Sequence, residues 1–301
     1  QLYVYVDSGK NENQIEFDGT FYNIKGAGNF ASSLEWKADG ESEAKYIVPH
    51  NTCILLSLSP GDLNKDIDKI REYRELSKKL NQQNWDKAKE WLSSSEAEEI
   101  SFAAIPYGGR LEWVTLIRHA KVNLFKKINR SLFSNGTSLK DTIIRNEYSG
   151  LTSELVGSLF LSNKEEFQLL SGEWTILGSE DILKEFSSGR SSKFSMANFI
   201  DQTPASASVS PGEAPFSFTV NYTGIQDTIS ALFKKGISES VRDNLSKRNL
   251  GIIQFEIKPF ERRSDFKIVF YARNLEKLPI PPVDETETGP AGWQTDSIVK
   301  V

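Results

Sequence analysis

The side chains best suited to nucleophilic or metal chemistry are scarce here: two histidines, His50 and His119, and a single cysteine, Cys53. His50 and Cys53 lie three residues apart, but zinc needs three or four ligands and the sequence has no second His/Cys cluster. A Ser–His or Cys–His catalytic centre would have to use one of the two histidines. Cys53 sits in the apolar run Thr52–Leu56. We therefore predict a turn histidine, a surface histidine and a buried structural thiol.

A calcium-like pattern occurs at Asp62-Leu-Asn64-Lys-Asp66, where oxygen-bearing side chains alternate as at the start of a calcium loop. Such a loop also needs glycine at its sixth position and glutamate at its twelfth. Those positions hold Ile67 and Tyr73. We therefore predict that these acids lie in the first turns of an amphipathic helix and bind no metal.

Two further patterns resemble a nucleotide site and a penicillin-recognising site. Gly26-Ala-Gly28 lacks the third glycine and the βαβ context of a dinucleotide site. Ser42-Glu-Ala-Lys45 matches the Ser-x-x-Lys of penicillin-recognising enzymes, but their companion motifs are absent. We therefore predict no cofactor, no metal ligand and no catalytic residue, and the binding residues stay unknown. Carboxylate chemistry remains an open alternative, because 41 Asp and Glu residues make many close pairs without selecting one.

The composition is that of a globular protein with a mild charge. Hydrophobic residues make up 38% of the 301 residues, enough to build a sizeable core. The net charge is −5, and the densest basic stretches are pairs such as Lys78-Lys79 and Arg262-Arg263. Nucleic-acid binding needs a basic patch, because its affinity comes largely from neutralising phosphates. We therefore exclude nucleic acid as a partner.

The elements that must position any site are predicted as hairpins separated by helices. The clearest hairpins span 100–117, around a glycine turn at 106–110, and 252–271. Further strands are predicted at 2–6, 45–57, 155–161, 167–177 and 216–220, and as a pair within 15–24 that turns at Asp18-Gly19. Ser171-Gly172 reads as a bulge or an earlier turn. Helices are predicted from Asp62 to Leu80, from Asn84, over 122–133, from Ser179 and on both sides of Gly236.

Hairpins that alternate with helices favour an α+β fold. We expect antiparallel or mixed sheets built from hairpins with helices packed on one face, and two similar halves are an option. The predicted organisation is an N-terminal β segment (1–44), a first α+β half (45–145) and a second α+β half (146–278). Residues 279–301 are rich in proline and acidic residues, which predicts a linker and the start of a further domain.

The location of the protein is predicted from its first residue and from a resemblance. The chain begins at Gln1 rather than Met, so we expect that an upstream segment was removed, whether a signal peptide, a lipoprotein leader or a cloning truncation. It contains no apolar segment as long as a membrane span. Its segments 46–58, 147–151, 159–163 and 170–178 resemble uncharacterised exported envelope proteins, lipoproteins among them, of Bacteroides-type bacteria. In similar proteins a proline-rich linker followed by a tryptophan leads into a β-rich repeat region, as at 279–293. The resemblance implies a periplasmic or outer-membrane-associated protein, with a membrane touched only through a lipid anchor outside this sequence.

The leading functional hypothesis is a non-enzymatic envelope protein that binds or scaffolds another macromolecule, either an envelope protein or a glycan. It rests on the failed catalytic motifs and on the linker. The first alternative is a carboxylate-dependent hydrolase of glycan or peptidoglycan, which needs a pocket with two carboxyl groups. The second is a periplasmic receptor for a small ligand, which needs an apolar cleft.

Overall fold

The computed structural model describes residues 4–10, 14–22, 42–59, 86, 96–120, 143–146, 165–189, 194–201, 214, 216–221, 250–259 and 263–272. Eleven strands run through these residues: β1 Val4–Lys10, β2 Gln14–Tyr22, β3 Ile54–Leu58, β4 Ala97–Tyr107, β5 Arg110–His119, β6 Ile143–Arg145, β7 Phe167–Ser171, β8 Trp174–Gly178, β9 Phe216–Asn221, β10 Leu250–Pro259 and β11 Arg263–Ala272. The same residues contain helices α1 Glu180–Ser187 and α2 Met196–Asp201 and a 3₁₀ turn, Ala44–Tyr46.

All eleven strands belong to one antiparallel sheet, in the order β1-β2-β11-β10-β9-β3-β4-β5-β8-β7-β6. Strand β2 pairs with β11, from Gln14 opposite Tyr271 to Tyr22 opposite Arg263. At the middle of the sheet, β3 lies between β4 and β9. Strands distant in sequence therefore share one hydrogen-bonded layer.

The predicted α+β class is wrong, because the described residues are mostly strand and form one large antiparallel sheet. Side-chain periodicity predicts each hairpin, but it does not predict which hairpin pairs with which. The outer strand of a hairpin has unpaired backbone groups, and it gains hydrogen bonds when it pairs with the outer strand of another hairpin. Only α1 and α2, of eight and six residues, accompany the sheet in the described part. Apart from the helical residue Asp86, the helices predicted over 62–80, from 84, over 122–133 and around 236 lie outside the described residues.

Alternation of side chains gives the sheet two unlike faces. One face, here called the helix face, packs against α1, α2 and the 3₁₀ turn. Leu55, Leu116 and Ile176 from the strands belong to the same core cluster as Leu183 from α1 and Ile200 from α2, and all five are at most 4% exposed. Burial of each such side chain stabilises the fold by roughly 1.5–3 kcal/mol.

Both hairpins predicted most clearly are confirmed. In the first, β4 and β5 are joined by Gly108-Gly109, whose φ values are +56° and +75°. Only glycine adopts this left-handed backbone without strain, which is why the sequence revealed the turn. The second, β10–β11, runs in register from Ile252 opposite Tyr271 to Pro259 opposite Ser264. The helix predicted from Ser179 is confirmed as α1, which buries Ile182, Leu183 and Phe186.

Two local predictions are corrected by the structure, and a third, which left two alternatives, is resolved. The turn predicted at Asp18-Gly19 is wrong, because β2 runs straight through both residues. The strand predicted over 45–57 begins only at Ile54, after the 3₁₀ turn. Of the two options at Ser171-Gly172, the turn is confirmed: Gly172 has φ +58° and connects β7 to β8.

The predicted segments 1–44, 45–145 and 146–278 each contribute strands to the sheet. Their boundaries stay predictions. The strand predicted over 155–161, residues 279–301 and the glycine pattern at Gly26–Gly28 lie outside the described residues, as does the calcium-like pattern from Asp62.

Candidate functional site

Two segments lie side by side on the helix face, and together we call them the cap: residues 42–51, which contain the 3₁₀ turn, and residues 194–201, which contain α2. Backbone hydrogen bonds join them, since the His50 amide donates to Phe194 O (3.1 Å) and the Met196 amide to Val48 O (3.0 Å). Val48 and Met196 are fully buried. The cap is therefore one packed unit on the sheet.

A buried carboxylate, Glu99 of β4, fastens the beginning of the cap and is only 1% exposed. Its Oε1 accepts hydrogen bonds from the hydroxyl groups of Ser42 (3.0 Å) and Ser101 (2.7 Å) and from the Ala44 amide (3.2 Å). Its Oε2 accepts from the Glu43 amide (2.9 Å). Both carboxylate oxygens are thus engaged, and three of the four donors belong to the cap.

Ser57 of β3 extends this network to the middle of the sheet. Its Oγ lies 2.7 Å from Ser42 Oγ and 2.8 Å from Ser101 Oγ, and all three hydroxyl groups are buried. Each hydroxyl has one proton, and Ser42 and Ser101 both have Glu99 as an acceptor. The network is satisfied when Ser57 donates to one of its two neighbours.

The protonation of Glu99 is governed mainly by burial, which raises the pKa of its carboxyl group; the four hydrogen bonds act in the opposite direction. Arg118 lies opposite Glu99 on β5. Its guanidinium pairs with Glu98 (3.3 Å), Glu173 (3.6 Å) and Glu43 (3.8 Å). Hydrogen bonds, rather than this cation, therefore hold the Glu99 carboxyl group.

A small polar cavity lies between the cap and strands β9 and β10, with a volume of about 10 Å³. That volume suits one water molecule. Leu55, Met196 and Ile200 form part of its apolar lining. Its polar lining comes from Ser42 and Lys45 of the cap, Ser217 and Thr219 of β9, and Gln254 and Glu256 of β10.

A polar row crosses the sheet beside this cavity. Ser217 lies opposite both Ser57 and Glu256, and Glu256 lies opposite Lys267 of β11. Lys267 Nζ binds Glu16 Oε1 of β2 at 2.6 Å. Burial acts to lower the pKa of Lys267, but the hydrogen bond to Glu16 and the charges of Glu16, Asp18 and Glu256 outweigh it and raise that pKa. Lys267 therefore links β2, β10 and β11 by charge.

The Ser-x-x-Lys pair set aside from the sequence is brought together by the fold. Ser42 and Lys45 are 3% and 4% exposed and line the same cavity. However, the Ser42 hydroxyl already donates to Glu99, and the cavity has no room for a substrate beside it. Nucleophilic attack by Ser42 would need both an open site and a free proton acceptor.

His50 lies in the cap and Cys53 directly before β3, whereas His119 ends β5. The half-buried His50 ring packs against the Phe194 ring, with 4.7 Å between the ring centroids. Burial lowers the pKa of His50, whereas a hydrogen bond to the Phe194 backbone acts to raise that pKa. Cys53 is fully buried, and burial raises its pKa to about 12. His119 is 2% exposed and bonds Thr175 through Nε2 (2.9 Å). The surface histidine prediction is therefore wrong for His119, whereas the buried thiol is confirmed.

The opposite face of strands β2, β9, β10 and β11 is apolar, and we call it the aromatic face. Phe17 contacts Phe270 edge-on at 5.9 Å between ring centroids, and Phe216 contacts Phe255 at 6.3 Å. Most of its members are half-buried, while Phe266 is 7% exposed and Ile15 42% exposed. Its described apolar members are Ile15, Phe17, Phe216, Phe218, Val220, Ile253, Phe255, Ile257, Phe266, Ile268 and Phe270.

Sequence reasoning missed Glu99 and the serine network. The signal was present as polar residues inside apolar strands, such as Ser57 between two leucines and Ser101 between Ile100 and Phe102. A lone polar residue in a buried strand requires a partner in the fold. Which partner it finds depends on strand order, which the sequence does not display.

No protein-family model matches the chain, and no curated protein or solved structure shows significant similarity to it. The resemblance to envelope proteins therefore stays a prediction. Within the described ranges, no group of three or more His, Cys, Asp or Glu side chains is placed to hold a metal ion. Among the same residues, no helix is both long and apolar enough to cross a bilayer.

Proposed function

We propose that the protein is a non-enzymatic binding or scaffolding protein of the cell envelope, and that a partner protein binds its aromatic face. The observation that carries this proposal is an inversion of the usual sheet pattern. On the helix face of β9 and β10, Ser217, Thr219 and Gln254 are only 4–8% exposed. On the aromatic face of the same strands, Phe216, Phe218 and Phe255 are half-buried.

Because most apolar side chains of the aromatic face are only half-buried, a partner that covers them would gain hydrophobic free energy of binding. Apolar surface removed from water contributes about 25 cal/mol per Å², so a partner that covers the remaining surface of several Phe and Ile side chains would be held by it. Contiguous apolar surface on a soluble protein marks an interaction site. Phe17 and Phe270 already contact each other edge-on, which gives a partner an ordered surface.

The chemistry of the aromatic face favours a protein over a glycan as the partner. Its described members are phenylalanine, isoleucine and valine, which offer no hydrogen-bonding groups. A sugar site needs such groups to fix the hydroxyls of its ligand. An apolar helix or strand surface of another envelope protein needs none. The envelope location is supported by the resemblance described above.

The two enzymatic or receptor alternatives find less support. A glycosidase-type site needs two carboxyl groups about 5–10 Å apart around a substrate. Glu256 lines the cavity under the cap, and Glu99 binds Ser42 of the same lining, but that cavity measures about 10 Å³. A small-molecule pocket measures roughly 300–1,000 Å³, so the space here is about thirty-fold too small.

Site-specific crosslinking in cells of the native host tests the proposal. A photo-crosslinking amino acid at position 15, on the aromatic face, is compared with the same group at position 18 of β2, whose exposed side chain lies on the other face. We expect a discrete product with a second protein from position 15 only. Purified, that protein should bind the Phe17→Ser variant at least about ten-fold more weakly than wild type, a loss of about 1.4 kcal/mol.

The proposal is overturned if position 15 forms crosslinks only within the chain, because the face is then covered by the protein itself. It is equally overturned if positions 15 and 18 give the same products, or if Phe17→Ser binds the captured protein as tightly as wild type does.

A further inference from the structure

We propose that the cavity under the cap is a binding site for one ordered water molecule, which hydrogen-bonds Ser217 and Thr219 of β9 and Gln254 of β10. This inference is independent of the proposed function. It concerns the helix face, whereas the partner surface lies on the opposite side of the sheet.

The size and the lining of the cavity suit water. A buried site holds one water when it offers about 10–15 Å³ and two to four polar partners. This cavity measures about 10 Å³, and six of its lining residues carry polar side chains. An apolar cavity of the same size would stay dry, because water in it would lose its hydrogen bonds.

Two hydroxyl-bearing residues of β9 line the cavity. Ser217 and Thr219 are 8% and 7% exposed, and both line the cavity. Within the part of the chain that the structure describes, neither hydroxyl makes a hydrogen bond to a protein group. A water between the two hydroxyl groups would hydrogen-bond both of them, which a water-filled cavity allows without any protein partner.

Gln254 supplies the complementary donor. Its Oε1 accepts a hydrogen bond from the Tyr271 hydroxyl (3.1 Å), so its amide nitrogen is left to donate. A water that accepts from Gln254 can donate to the hydroxyls of Ser217 and Thr219, which matches its two donors and two acceptors. The water therefore has the three partners typical of a buried site.

A cation fits the site less well than water. Lys45 is only 4% exposed and lines the cavity, and its basic side chain opposes a second cation nearby. Calcium would also need six to eight oxygen ligands, and two oxygens of this lining are already engaged, Ser42 Oγ with Glu99 and Gln254 Oε1 with Tyr271. The cavity is too small for an organic ligand.

Two measurements on the full chain test the water site. A high-resolution crystal structure should show one water oxygen about 2.7–3.2 Å from Ser217 Oγ and Thr219 Oγ1. In solution, NMR cross-relaxation between water and the amides of residues 217, 219 and 254 should have the sign of a long-lived bound water.

The variants are chosen to separate hydrogen bonding from volume. Thr219→Val keeps the shape but removes the hydroxyl, and should abolish the water signal, whereas Thr219→Ser keeps the hydroxyl and should retain it. Val220→Thr, on the aromatic face, is the control and should leave the signal unchanged. A dry cavity in the wild type, or a signal that survives Thr219→Val unchanged, overturns the proposal. If Thr219→Val does not fold, loss of the signal in Thr219→Ser has the same consequence.

Discussion

Replacing Glu99 by glutamine probes how the cap is held on the sheet. Glutamine keeps the shape of the side chain but exchanges one oxygen for an amide nitrogen, which cannot accept a hydrogen bond. Oε1 accepts three hydrogen bonds and Oε2 accepts one, from the Glu43 amide. The variant is therefore most stable when its amide nitrogen takes the position of Oε2. There it faces the Glu43 N–H, and a buried hydrogen bond is lost.

The size of the effect follows from that single lost acceptor. Leaving a buried donor unpaired costs about 1–3 kcal/mol. At acid pH the Glu99 carboxyl group is protonated, but its protonated oxygen still has a lone pair that accepts, which the amide nitrogen lacks. Glu99→Gln should therefore lower the free energy of unfolding at acid pH by up to that amount. Burial raises the pKa of Glu99 above its ordinary value of 4.5. A raised folded-state pKa contributes stability that is fully present below pH 4.5 and is lost as the pH rises through the folded-state pKa. Glutamine does not titrate, so the deficit of the variant should shrink as the pH rises.

Urea unfolding followed by tryptophan fluorescence, at about pH 4 and about pH 8, measures this deficit. Glu98→Gln is the matched control on the same strand. Glu98 is half-buried and pairs with Arg118 at 3.3 Å, and such an ion pair contributes about 0–1 kcal/mol. The reasoning is refuted if Glu99→Gln is no less stable than Glu98→Gln at acid pH. It is also refuted if the deficit of Glu99→Gln grows between the two pH values.

Two further predictions concern His50 and Cys53. Burial lowers the pKa of His50 below 6.5, so the stability it contributes is present above pH 6.5 and is lost as the pH falls through its lower folded-state pKa. His50→Gln should therefore flatten the acid side of the curve of unfolding free energy against pH, and an unchanged curve would contradict this assignment. Burial raises the pKa of Cys53 to about 12, against 9.0 for an ordinary thiol. At about pH 8 its thiolate fraction is about a thousand-fold lower, so a disulfide reagent should react at least that much more slowly with folded protein than with urea-unfolded protein. Similar rates in the two states would show that the thiol is accessible.

The candidate site was only partly predictable. The buried thiol of Cys53 followed from its apolar neighbours, and local context is enough for such a prediction. Glu99 could not be found in this way, because its donors come from residues 42–44 and from Ser101. The distance in sequence between 42–44 and Glu99 is bridged only when β3 and β4 pair. Likewise, Ser42 and Lys45 acquired a shared cavity only because β9 and β10 lie beneath the cap.

Short-range sequence patterns specify the local elements of this protein. Glycines at 108 and 109 determined a tight hairpin, because they accept positive φ, and the alternation over 216–221 determined a two-faced strand. Strand order, in contrast, is set only when the whole chain has folded. The tertiary structure joined β3 to β9 and β2 to β11, and so made one antiparallel sheet where an α+β fold was expected. The physical reason is that a strand specifies its two faces through its own side chains. Its edges carry the same backbone groups in every strand, so only competition among all the edges in the folded chain selects the partners.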